Sequence, residues 1–80
     1  MLMRSKPEVP PEEVMAKIGA TAGAVWQLLE KKGPLKLPQL VKKLSEPRDT
    51  VMQALGWLAR EGKIEIQERG RQRTIALLPS

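Results

Sequence analysis

The spacing of apolar residues changes once along this chain, and the change falls at Gly62. Before it, apolar residues recur every three or four positions: Val14, Ile18, Ala22, Val25 and Leu29, then Leu37, Leu40, Val41 and Leu44, then Val51, Ala54, Leu55 and Leu58. After it they alternate, Ile64 with Ile66 and Ile75 with Leu77. The first spacing puts one apolar stripe on each of three helices, and the second puts one apolar face on a pair of strands. A chain of 80 residues buries only about 60% of its unfolded surface. Three short helices therefore leave an open side that the terminal hairpin must cover.

Punctuation residues divide the pattern. Pro11, Glu12 and Glu13 open the first helix, with the carboxylates at the positive end of its dipole, and Lys31, Lys32, Gly33 and Pro34 close it. Met15, Trp26 and Leu28 flank its inward stripe. Leu35-Lys36-Leu37 is long enough for a bridge or an edge strand only. The second helix runs from about Pro38 to Leu44. Ser45 or Glu46 is expected to cap, and Pro47 to open, a third helix that ends near Glu61 with Gly62 as its left-handed terminator. Gly70-Arg71 reads as a type II′ turn, which sets Ile66 opposite Ile75 and Ile64 opposite Leu77. Helix, short strand, helix, turn, helix, hairpin is the order of a winged helix-turn-helix, a mostly α fold with a three-helix core and a β-hairpin wing. We assign residues 12–80 to that domain and 1–11 to a flexible proline-rich leader, in which Arg4 and Lys6 stand as a short basic arm.

Composition narrows the function classes. The chain has no cysteine, histidine or tyrosine, which removes thiolate ligands, the commonest general base and a frequent acid. Apart from Glu12 and Glu13, its carboxylates stand singly, and none sits in an apolar run that would raise its pKa. An enzyme is therefore not expected, and neither a metal nor a cofactor is implied. The GATAG segment (residues 19–23) lacks the lysine and the preceding strand of a phosphate loop. Two tryptophans without phenylalanine or tyrosine do not make the stacking sheet of an RNA-recognition domain. No apolar run has the length of a membrane span, so a cytoplasmic location is the expectation. The net charge of +5 suits a polyanion and also serves ordinary solubility.

Two sets of residues are candidates for contact. Arg48, Thr50, Gln53 and Arg60 on the third helix, Arg69, Arg71 and Arg73 around the hairpin turn, and Lys36, Lys42 and Lys43 around the second helix form the set for double-stranded DNA. Guanidinium and amide groups near a recognition helix N-terminus read bases, and arginines on a wing contact phosphates. Asp49 and Glu61 weigh against this, since they leave the third helix without net charge. The set for a protein partner is Trp57 and Gly56 with Ala16, Gly19, Ala20 and Gly23, a nearly bare strip along the first helix. That strip reads first as a solvent face, and Trp57 as a ring that finishes packing against the first helix. If exposed, Trp57 suits a protein contact better than a groove.

Ile18-Gly19, Ala22-Gly23, Val25-Trp26 and the run Ala54-Leu55-Gly56-Trp57-Leu58-Ala59-Arg60 resemble a small bacterial and archaeal winged helix-turn-helix family whose function is unknown. The resemblance extends from about Ala16 to Leu77. Members of that family resemble winged-helix domains of a eukaryotic RNA polymerase III subunit, which implies a transcription-related, nucleic-acid role. The family supplies no binding residues to carry over. DNA, a protein partner and a second copy of the chain all stay open as partners.

Overall fold

The computed structural model describes residues 11–79; of the leader read over residues 1–11, all but Pro11, including Arg4 and Lys6, lies outside them. Six elements follow in order: α1 (Pro11–Lys32), β1 (Leu35–Lys36), α2 (Leu37–Leu44), α3 (Arg48–Arg60), β2 (Ile64–Arg69) and β3 (Gln72–Leu77). Pro11 opens α1 rather than closing the leader.

The core forms where the predicted stripes converge. Ala22, Val25 and Leu29 of α1, Leu37 and Leu40 of α2, and Val51, Ala54, Leu55 and Leu58 of α3 are buried together with Ile64 and Ile75 of the hairpin. The first turns of α1 depart from that pattern. Val14 is exposed although the stripe begins with it, as is Met15 on its flank. α1 has 22 residues and is about 33 Å long; its first two turns extend past the elements that cover the rest of the stripe.

Helix ends are set by backbone conformation more than by side-chain caps. After α3, Gly62 takes φ 73°, its N–H bonds the Ala59 carbonyl at 3.0 Å, and the Lys63 N–H reaches Leu58 at 2.9 Å. These two bonds make a Schellman closure, which needs the left-handed residue glycine supplies. α1 ends on Gly33 at φ 81°, whose N–H bonds the Leu29 carbonyl at 2.8 Å. The turn between α2 and α3 differs from expectation. Ser45 is the left-handed C-cap of α2 at φ 56°. Pro47 occupies the N-cap of α3, where no side chain caps the helix. Proline has no side-chain acceptor, and Ser45 is already committed to ending the preceding helix.

The sheet is antiparallel in the order β1-β3-β2. Ile64 pairs with Leu77 and Ile66 with Ile75, as the alternation predicts, and Arg69 with Gln72 closes a two-residue turn. Gly70 has φ 60° and Arg71 is not among the residues of positive φ, the pattern of a II′ turn. Leu35 pairs with Ile75 and Lys36 with Thr74. The short extended piece is therefore the third strand, and β3 runs down the middle.

Candidate nucleic-acid interface

The pairing of β1 with β3 brings three separate segments to one place. Beyond Lys36 the chain turns into α2, and the Gln39 side-chain oxygen accepts from the Lys36 N–H at 3.0 Å. That bond closes the first turn of α2, and Lys36 itself pairs with Thr74 of β3. Pro47 starts α3 so that its first residue, Arg48, faces the same region. A cleft of about 320 Å³ results, lined by Lys36, Leu37, Pro38, Arg48, Arg71, Gln72 and Arg73. Four of these side chains are cationic and none is a carboxylate. The N-terminal ends of α2 and α3 both meet it, adding the positive pole of each helix dipole.

Position in the sheet separates the wing arginines: β3, which carries Arg73, pairs directly with β1, and β2, which carries Arg69, lies on its far side. Arg71 and Arg73 line the cleft and Arg69 does not. Arg73 is held by Glu68, Nε to carboxylate oxygen at 3.0 Å, with both side chains well exposed. Glu68 thereby occupies the Nε edge of the guanidinium.

The other candidates separate from this cluster. Lys42 and Lys43 lie in the last turn of α2, at the opposite end from the cleft. Lys43 borders a different hollow, with Glu30 and Lys31 of α1. On α3, Gln53 and Arg60 are exposed with Asp49 and Gly56, along one stripe at helical spacing. Thr50 is a correction: it is 9% exposed, turned toward the interior, and is not available to read a base. Trp57 is corrected in the other direction. It is 42% exposed and does not finish its packing against α1. Thr50 and Trp57 are seven residues apart, two helical turns, and so share a flank of α3; neighbouring elements cover that flank at its first turn and leave it open at its last.

Ala16, Gly19, Ala20 and Gly23 are exposed along α1, and a Cβ built on Gly19, Gly23 or Gly56 would meet no atom within 4 Å. What sequence reasoning missed is the grouping of Lys36 with Arg48, Arg71 and Arg73. The available signal was Leu35-Lys36 itself: an edge strand there has to pair with one of the hairpin strands.

Three helices, a helix-turn-helix and an arginine-bearing hairpin over one basic cleft define a winged helix-turn-helix domain. The chain belongs to the family described as Winged helix-turn-helix domain (DUF2582), whose model matches residues 13–77. It is also 35% identical over 68 residues to the uncharacterized protein MJ1608 of Methanocaldococcus jannaschii, covering 82% of this chain and 97% of that protein. Among the described residues, no helix is long and apolar enough to cross a membrane.

Proposed function

We propose that this protein binds double-stranded DNA, with the cleft of Lys36, Arg48, Arg71 and Arg73 seated on backbone phosphates. The observation that carries the reading is the convergence of four cations from β1, α3 and the wing with no carboxylate in the lining. Cations so placed release counterions when they meet a polyanion, and that release supplies most of the affinity of such contacts. The exposed stripe of α3 then approaches the major groove with Gln53 and Arg60 as its base-reading groups, while Asp49 limits how basic that surface is. Together with the resemblance to polymerase III winged-helix domains, this points to a transcription-related role.

Titration of a labelled duplex at several salt concentrations tests it. Four phosphate contacts give a slope of about −3.6 in log K against log salt, and so a loss of about 150-fold between 50 and 200 mM. Arg71→Glu with Arg73→Glu removes two of those contacts and reverses their charge, and duplex binding should disappear. Equal affinity of native protein and double variant would refute the reading. The exposure of Trp57 beside Gly56 favours a second reading, a protein-contact surface on α3. Under it Trp57→Ala spares duplex binding and the wing substitutions have no consequence for the partner.

A further inference from the structure

The first turns of α1 expose Val14 and Met15, and a groove of mixed apolar and polar lining runs beside its C-terminal half; among the described residues neither is covered. The groove is about 640 Å³, and its lining includes Gly23, Trp26, Leu58, Lys63, Leu77 and Leu78. Trp26 is 38% exposed there and Met15, three turns earlier on the same helix, is 48% exposed. Met15, Gly19, Ala22 and Trp26 follow one another at spacings of four, three and four, the seam spacing of paired helices. Ala22 is buried and lies in the groove lining, and the space over Gly19 and Gly23 is empty. The seam is therefore large at its two ends and bare in its middle.

We infer that a second copy of this chain fills the groove, its α1 packed antiparallel against α1. With the two-fold axis between Ala20 and Thr21, Met15 of one copy lies opposite Trp26 of the other, a thioether against an aromatic edge. Gly19 lies level with Ala22 of the other copy, two short residues that let the backbones approach. The overhang of each copy enters the groove of the other, so both surfaces close in one isologous contact. Charge agrees. Glu12 and Glu13 open α1, Lys31 and Lys32 end it, and Lys63 stands on the groove wall. Antiparallel packing brings the acidic turn of one copy toward these lysines in the other. Glu30 and Glu61 share that region, and the three lysines still leave an excess cation for the two incoming carboxylates. The helix dipoles oppose each other favourably as well. This pairing leaves the wing cleft free, and it is independent of the DNA reading.

The test is sedimentation of the full chain over a wide concentration range, with Gly19→Arg and Met15→Glu beside it. Arginine is a better helix former than glycine and meets no neighbour at position 19, so that variant keeps its fold, which circular dichroism checks. The native chain should sediment as a dimer and dissociate on dilution, with Trp26 emission shifting to the red. Each variant should weaken the dimer at least tenfold. A chain that is monomeric at every concentration overturns the inference. So does a dimer that neither variant weakens, because the copies then meet elsewhere. Deletion of residues 1–10 covers the remaining occupant: a monomeric full chain that dimerises once shortened would show that the leader, and not a second copy, fills the groove.

Discussion

Glu68→Gln is the most discriminating perturbation of the proposed interface. In the free protein Glu68 holds Arg73 at 3.0 Å, and their side chains are 63% and 44% exposed. A pair so exposed contributes at most about 1 kcal/mol, and often less, to folding. Its loss should lower the midpoint of thermal unfolding of a domain this size by no more than about 4–8 °C. Binding should move the other way. A phosphate in the cleft beside Arg73 sits about 6 Å from the Glu68 carboxylate, and their repulsion in water is about 0.7 kcal/mol, roughly a threefold effect on affinity. Releasing the guanidinium from its pair adds up to about as much again, so duplex affinity should rise three- to tenfold at low salt. The gain should shrink as salt screens it over a Debye length of about 8 Å at physiological strength. Fluorescence anisotropy with one duplex at two ionic strengths measures both quantities. Unchanged or weaker binding in Glu68→Gln would mean that phosphate never reaches Arg73, and the cleft would lose its assigned role.

Three further perturbations separate contact from scaffold. Arg48→Ala should weaken duplex binding about tenfold with little effect on thermal stability, whereas Thr50→Ala, at a buried position two residues on, should lower stability and leave affinity unaltered; an affinity loss confined to Thr50→Ala would reverse these roles. Ile75→Ala empties a fully buried position on the central strand and should cost about 2–5 kcal/mol, read by urea denaturation. Gly62→Ala forces a side chain into φ 73° and should cost about 1 kcal/mol, with the loss visible in the same denaturation midpoint; a neutral result would mean that the Schellman closure adds nothing to α3.

Most of the fold was legible because it rests on repeating patterns. The alternation of Ile64 with Ile66 and of Ile75 with Leu77 specifies a register as well as a hairpin, since a slip by one residue would turn the buried Ile64 and Ile75 outward; Ile66, nearer the wing tip, stays exposed in the native register. Positions whose surroundings depend on where a neighbouring element stops were not legible. Val14 continues the stripe of α1 faultlessly and is exposed, because periodicity records a helix's own faces and not the length of what packs on them. The exchange between Thr50 and Trp57 has the same origin. The candidate interface was legible in its residue types and not in its grouping. Arg69, Arg71 and Arg73 are close in sequence, yet Arg73 stands on the strand next to β1 and Arg69 on the strand beyond it, and only Arg71 and Arg73 reach the cleft. Lys42 and Lys43 share a helix with the start of the cleft and point to its far end.

The two-residue β1 has a mechanical consequence. A hairpin attached to a helical core by its base alone is free to rock. Here the ladder from Lys36 to Thr74 splices the middle strand to the backbone that immediately becomes α2. Displacing the wing therefore drags the opening turn of α2 along with it, so Lys36 and Arg73 keep their separation. Whatever they grip has to match a spacing built in advance.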